Sequence, residues 1–368
     1  MVQESFSGIR VVKSYVREQS EMDRYAMESK DYMKKELALV KIQAFFMPIL
    51  FLITGLSIII VIWVGGTKTI NGTMDLGEIA AFIVYLGILI WPMIALGWVI
   101  NLIQQGEASM RRLNKIFNQS YEIEDDENTD HSIKNIHGEI DLRKVSFRYS
   151  EVHPWILKDV DLKISAGSTI AIMGYTGSGK TSFINLIPRL YDCTEGEIFI
   201  DGKNVRQIPL DVLRKNIGIV PQEPFLFSDT VMNNISYGLK EIDQNRVYEV
   251  SGIAYFDKDV EDFPLKYDTI VGERGITFSG GQKQRCSIAR ALATDPKILI
   301  LDDSFSSVDT NTEEEILKNL KRFMYGRTSI IISHRISTVK DADHIIVLHE
   351  GKIAEQGKHE ELVAKEGI

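Results

Sequence analysis

From Ala44 to Val64 the chain carries no charged residue, and from Ile79 to Ile103 there is again none. Each run exceeds the roughly 20 apolar residues that cross a bilayer as a helix. A buried helix of a water-soluble core accounts poorly for runs of this length, and worse for two in succession. Between them, Gly65 to Glu78 is rich in Gly, Thr and Asn and reads as a short turn. Lys30, Lys34, Lys35 and Lys41 precede the first run, and Arg111, Arg112 and Lys115 follow the second. The intervening loop has Lys68 as its cation. Lys and Arg concentrate on the cytoplasmic side of spanning helices, so both chain ends are expected in the cytoplasm and the loop outside. Trp63 reads as an interfacial anchor, and Pro48 and Pro92 are expected to bend their helices.

Downstream, Gly174-Tyr175-Thr176-Gly177-Ser178-Gly179-Lys180-Thr181 is a complete G-x-x-x-x-G-K-[ST] loop. It follows the apolar run Thr169–Met173, read as a buried strand, and precedes a helix-like run from Ser182 to Leu190. That strand–loop–helix context is what the motif requires. Glycines permit the tight turn that lets consecutive N–H groups converge on phosphate oxygens at a helix N-terminus. Lys180 adds a positive charge for β- and γ-phosphates, and the Thr181 hydroxyl can ligate Mg²⁺. Gly174 through Ser182 are therefore the candidate nucleotide contacts. The plainer reading, a Gly/Ser turn that binds nothing, leaves the lysine and the hydroxyl unexplained.

Two later motifs complete the pattern. Ile298-Leu299-Ile300-Leu301-Asp302 reads as a strand ending in a carboxylate that could stand beside Mg²⁺. Phe278-Ser279-Gly280-Gly281-Gln282 reads as a helix start. With the loop before it and the apolar-Asp strand after it, this segment resembles the signature of the ATP-binding cassette (ABC) superfamily, usually written LSGGQ. The resemblance implies an α-helical membrane segment of two transmembrane helices followed by an α/β P-loop nucleotide-binding domain. It implies a dimer that sandwiches two ATP molecules, in which Ser279, Gly281 and Gln282 meet the partner's ATP. It makes Tyr149 the aromatic that stacks on adenine; the lesser alternative, from strand statistics alone, is a cross-strand core tyrosine. Gln222 becomes the glutamine that reaches Mg²⁺ and senses the membrane domain, and Gly272-Glu273-Arg274-Gly275 the loop that touches its coupling helices. Asp309 becomes the residue that communicates between the sites, and His334 the switch histidine at the γ-phosphate. Metal contacts are then Thr181, Gln222 and Asp302; catalytic groups are Asp303, His334 and Gln222.

One position departs from that pattern. The family's catalytic base is a glutamate directly after the Asp302 position, and here it is Asp303. Aspartate is one methylene shorter, and a misplacement of about 1 Å can cost on the order of 100-fold in rate. The site on this chain's own P-loop is expected to be slow, as in one subunit of heterodimeric exporters, with the intact signature completing the partner's fast site. The competing reading is a homodimer in which Asp303 serves as base, since Asp is a competent general base elsewhere.

The remaining sequence sets the frame. Residues 1–117 resemble the C-terminal part of an exporter membrane domain, 118–138 read as an acidic linker, and 139–368 as the nucleotide-binding domain, with a helical subdomain over about 211–292. Met1 to Lys41 reads as one long cytoplasmic helix leading into the membrane. By the resemblance, four transmembrane helices precede this point in a complete exporter half, so a fragment is expected. Strands are expected at Glu139–Tyr149, Leu157–Ile164, Thr328–Ile332 and His344–Leu348. Cys193 and Cys286 lack metal spacing and read as free thiols in a reducing compartment. The net charge of −9 argues against a nucleic-acid binder. Neither apolar run contains Asp, Glu, Lys, Arg or His, which ion pathways normally use, so the pair fits an apolar or amphipathic substrate. Three functions compete: an exporter half, with a second half, the bilayer and a small substrate as partners; a soluble or importer-type ABC ATPase; and a regulatory subunit that binds ATP and barely hydrolyses it. Two membrane helices joined to the P-loop domain weigh against the second, and Asp303 leaves the third open.

The charge asymmetry makes a direct prediction. A cysteine placed at Asn71 is labelled by an impermeant thiol reagent in intact cells. Labelling that requires permeabilisation contradicts this topology.

Overall fold

The computed structural model describes residues 2–272, 275, 277–365 and 367. Contact density separates two units, Met1–Ser120 and Tyr121–Ile368.

In the first unit, two short helices (Val2–Ser7, Ile9–Ser14) lead into two long ones, Glu18–Ile70 and Leu76–Phe117. The expected single helix over the first 41 residues is broken near Gly8 and again at Val16, whose φ of 51° no helix accommodates. The expected loop of 65–78 shrinks to residues 71–75, because both helices run past the charge-free runs. Gly65 sits inside the first long helix and is buried; a Cβ there would lie 2.9 Å from the Ile79 side chain. The missing side chain lets the two helices come close here, the usual use of small residues between membrane helices. Asp75 donates its N–H to Glu78 Oε2 at 2.9 Å and so starts the second helix. The helical assignment continues through both Pro48 and Pro92. Both helices are long and apolar enough to span a membrane, and the most apolar window of each leaves its side chains unburied, as lipid-facing segments require.

The second unit is built on two sheets. The strands are β1 (Ile140–Phe147), β2 (Leu157–Ile164), β3 (Thr169–Met173), β4 (Glu195–Ile200), β5 (Lys203–Asn204), β6 (Ile217–Val220), β7 (Ile298–Asp302), β8 (Thr328–Ile332), β9 (His344–His349) and β10 (Lys352–Gly357). The smaller sheet runs β2-β1-β4-β5 and is antiparallel; the larger runs β10-β9-β3-β8-β7-β6 and is parallel except at the β9–β10 edge. Central strands β7 and β8 are buried along their whole length, as parallel strands covered on both faces must be. Their side chains alternate between two cores. Ile298, Ile300, Ile330 and Ile332 face the core shared with the smaller sheet. Leu299, Leu301 and Ile331 face the core shared with the helices Gln244–Ile253, Gly280–Ala293 and Thr310–Met324.

Two differences from the sequence expectation concern this unit. The stretch 211–292, read as largely helical, contains β6, which forms an edge of the parallel sheet; its four residues are too few to show a period. The acidic stretch 118–138 holds no helix or strand, but from Tyr121 it belongs to the second unit. Ile136 is buried, Leu210 donates its N–H to Asp125 at 3.0 Å, and Asp130 donates its own to the Gln207 carbonyl at 2.8 Å. The end of this stretch is clasped by Asp201, whose carboxylate accepts from the N–H groups of His137 (2.6 Å), Gly138 (3.0 Å) and Glu139 (2.9 Å).

Hydrogen bonds to a charged group are worth about 1.5–3 kcal/mol each when buried, and this clasp is half-exposed. Asp201→Ala is therefore expected to lower unfolding stability of the second unit by about 2 kcal/mol, with Asp201→Asn losing less. An unchanged thermal midpoint in Asp201→Ala would show that the clasp does not hold the stretch.

Candidate functional site

The sheet order puts β3, β8 and β7 side by side, so their C-terminal ends form one edge. β3 delivers the glycine loop, β7 delivers Asp302, and β8 leads to His334. Ligands in open parallel sheets bind at this carboxyl edge. A cavity of about 690 Å³ opens there, lined by Thr176, Gly177, Gly179, Lys180, Thr181, Ser182, Gln222, Asp302, Asp303 and His334, and also by Trp155, Lys158 and Glu350.

The loop's backbone demands glycine. Gly174 has φ 152°, and a Cβ there would stand 2.3 Å from the Leu348 carbonyl oxygen. Gly179 has φ 102° and packs under Ile156. The helix Lys180–Leu186 starts at the next residue and ends short of the expected Leu190, just before Pro188. Lys180 donates its ammonium to the loop carbonyls of Gly174 (2.8 Å) and Tyr175 (3.0 Å), so it folds back over its own loop. The Ser178 hydroxyl is buried without a hydrogen-bond partner, an arrangement that an acceptor entering the cradle would relieve.

Thr181 donates its hydroxyl to Asp302 Oδ2 at 3.0 Å, across 121 residues of sequence. Asp302 is 3% exposed. Its carboxyl is pushed above the usual range by burial, and the neighbouring Asp303 charge adds to this, while the Thr181 hydrogen bond, Lys180 and His334 oppose it. Burial also lowers the Lys180 pKa, against the pull of Asp302 and Asp303. Among the described residues no cluster of three His, Cys, Asp or Glu could cage a metal alone. One carboxylate, a hydroxyl and an amide oxygen suit Mg²⁺, which prefers hard oxygens and shares its coordination sphere with phosphate and water.

Asp303 follows at φ 44°, a left-handed conformation that Asp adopts more readily than most residues. Its N–H is held by the Ile332 carbonyl at 2.9 Å, which ties the end of β7 to the end of β8. Gln222 and His334 are exposed and line the cavity from the segments that follow β6 and β8.

Other expected residues lie elsewhere. Tyr149 does not line the cavity wall; its hydroxyl meets Ser182 Oγ at 3.0 Å, and its ring packs edge-on against Phe147 and Tyr191. Trp155 lines the wall, with the Arg148 guanidinium 4.7 Å from its ring centre. No motif pointed to Trp155, and only an aromatic in the loop before β2 could have flagged it. The signature residues stand apart from this cavity. Ser279 caps the helix Gly280–Ala293 and accepts from the Gln282 N–H at 3.2 Å, while Gln282 Oε1 accepts from the Ser279 N–H at 3.0 Å. Gln282 Nε2 and Arg285 both bind Asp259. Gly281 is buried under the Ser307 carbonyl. Asp309 caps the helix Thr310–Met324, and its bond from the Thr312 N–H holds its carboxyl below the usual range. Of the expected coupling loop, Glu273 and Arg274 lie outside the described residues. Cys193 and Cys286 are free and buried; burial pushes the Cys286 thiol up to about 12, which leaves it inert.

Comparison with known proteins agrees with this geometry. Residues 157–306 match the ABC transporter family, and residues 1–93 match the ABC transporter transmembrane region. The chain is 42% identical to the "Probable multidrug resistance ABC transporter ATP-binding/permease protein YheI" of Bacillus subtilis, over 100% of this chain and 62% of that protein. It is 40% identical to the ATP-dependent lipid A-core flippase of Syntrophus aciditrophicus, over 100% of this chain and 61% of that protein. A solved bacterial Atm1-family ABC exporter with ATP bound superposes with a TM-score of 0.91 at 33% identity, covering 100% of this chain and 64% of the other. The chain thus spans about three fifths of the length of the relatives it matches. Its apolar helices, its P-loop with Asp302 across the sheet edge and these matches together place it in the ABC transporter family, as a transmembrane region joined to an ABC nucleotide-binding domain.

Proposed function

We propose that this chain is the nucleotide-binding part of an ABC exporter half that binds and hydrolyses Mg-ATP to move an apolar or amphipathic substrate out of the cytoplasm. The observation that carries this is the convergence of Lys180, Thr181 and Asp302 on one cavity in a chain that also carries two membrane helices. Relatives named for multidrug resistance and for lipid A-core flipping support a substrate of that class. On this reading the nucleotide-binding unit lies in the cytoplasm and the helices cross a bacterial inner membrane.

Bound Mg²⁺ would neutralise phosphate charge beside Asp302, held by Thr181, Asp302 and Gln222. The chain's own groups then divide the work. The loop N–H groups and Lys180 grip the phosphates, with Lys180 turning from its loop carbonyls. Tyr149, held beside the cavity through Ser182, meets the adenine where it extends past the loop. His334 stands at the γ-phosphate, and Asp303 accepts the proton of the attacking water. The signature Ser279, Gly281 and Gln282, apart from this chain's own cavity, serve ATP held by a second subunit, whose signature completes this site in return. The shortness of Asp303 favours a heterodimer with a slow site here. A homodimer remains the second reading, supported by the retained carboxylate and His334.

Removing a charged donor to phosphate costs on the order of 2 kcal/mol, or roughly 30-fold. Lys180→Ala is expected to weaken ATP binding to this chain by about that factor, read by photolabelling of the chain with azido-ATP. Unchanged labelling would sink the P-loop assignment.

The asymmetry separates in a full-length complex. Asp303→Asn is expected to cost little overall turnover, whereas Ser279→Arg, which obstructs the partner's site, abolishes most of it. The reverse pattern contradicts the slow-site reading, and loss in both variants points to two equivalent sites.

A further inference from the structure

Asp302 and Glu313 are the two buried carboxylates among the described residues, and the site chemistry above uses only Asp302. Glu313 is 2% exposed. Both of its oxygens are taken by the segment that follows the switch histidine: Arg335 pairs with Oε2, and Thr338 donates its hydroxyl to Oε1 at 2.8 Å. A buried carboxylate persists only where partners replace its lost water. Arg335 is the residue directly after His334, so the ion pair fixes the backbone from which His334 projects.

The other end of Glu313 leads to the signature. Its N–H donates to the Asp309 carbonyl at 2.9 Å, in the first turn of the helix Thr310–Met324. Just before that turn, Ser306 accepts from Gln284 Nε2 at 2.8 Å, and Ser307 donates its N–H to Gln284 Oε1 at 2.9 Å. Gln284 lies in the helix that Ser279 caps and is 1% exposed. The same two elements also meet at Lys321 and Asp341, but that pair is 71% and 63% exposed and contributes little. Val339 packs this segment against Ala171 and Ile345, and the buried polar hold between the two elements is that of Glu313.

We propose that Glu313 is a positioning residue for hydrolysis at this chain's own site. Through Arg335 and Thr338 it sets His334, and through the Asp309 turn it ties His334 to the signature helix. The role rests on His334 acting at the γ-phosphate, as proposed above. Since a group displaced by about 1 Å can cost on the order of 100-fold, the effect appears in the hydrolytic step and spares ATP binding.

The test uses the full-length transporter and reads this chain alone. Hydrolysis is followed as vanadate-dependent trapping of azido-nucleotide crosslinked to this chain, and binding as its photolabelling by azido-ATP in the cold. Glu313→Gln is expected to cut trapping about 10- to 100-fold while photolabelling stays within about twofold. In a His334→Ala background it adds no further loss, because the group it positions is gone. Thr338→Val, which removes one hydrogen bond to the same carboxylate, shows a smaller loss of the same kind and carries the test should Glu313→Gln fail to assemble. Full trapping in these variants, an equal fall in photolabelling, or losses that multiply with His334→Ala would overturn the proposal. Normal trapping in His334→Ala itself would instead remove the switch reading on which the role rests.

Discussion

The contact between the Thr181 hydroxyl and the Asp302 carboxylate joins the ends of two strands that are not neighbours. β8 lies between β3 and β7, so the contact exists only if the parallel sheet assembles in the right order and register. It fixes the start of the P-loop helix against the end of β7. The neighbouring backbone bond from Asp303 to Ile332 fixes β7 against β8. These two links bring the loop, the carboxylates and His334 to one edge, and the cavity follows from them.

Lys180, two carboxylates and His334 share a partly buried space at that edge, where burial lowers the Lys180 pKa against Asp302 and Asp303, and burial raises the Asp302 pKa against the Thr181 hydrogen bond, Lys180 and His334. Lys180 occupies loop carbonyls, and Ser178 keeps an unused hydroxyl. On the proposed function, a triphosphate with a divalent cation would meet these groups. The signature helix, by contrast, is held at its start by its own cap and by Asp259.

Most of this was legible in the sequence where chemistry dictates residue type. Gly174 and Gly179 announce positive φ, Lys180-Thr181 announces phosphate and metal, and four apolar residues ending in Asp302 announce a buried parallel strand. The two charge-free runs announce membrane helices by length alone. Elements set by tertiary pairing were harder to read. β6 has four residues and no period, so only its pairing with β7 makes it a strand. The acidic stretch after residue 118 looked like a free linker, because the clasp at Asp201 lies more than 60 residues away in sequence. The breaks at Gly8 and Val16 interrupt a segment of otherwise helical composition. Trp155 and Glu313 had no motif to mark them; one was found by the cavity it lines, the other by its burial.

The central claim is that Thr181 and Asp302 jointly hold Mg²⁺ with the nucleotide. Calorimetric titration of ATP into the full-length protein, with Mg²⁺ and with a chelator, tests it most directly. The account predicts tighter binding with Mg²⁺ in the wild type, and near-equal affinities under the two conditions in Asp302→Asn. A magnesium dependence that survives Asp302→Asn unchanged would contradict it.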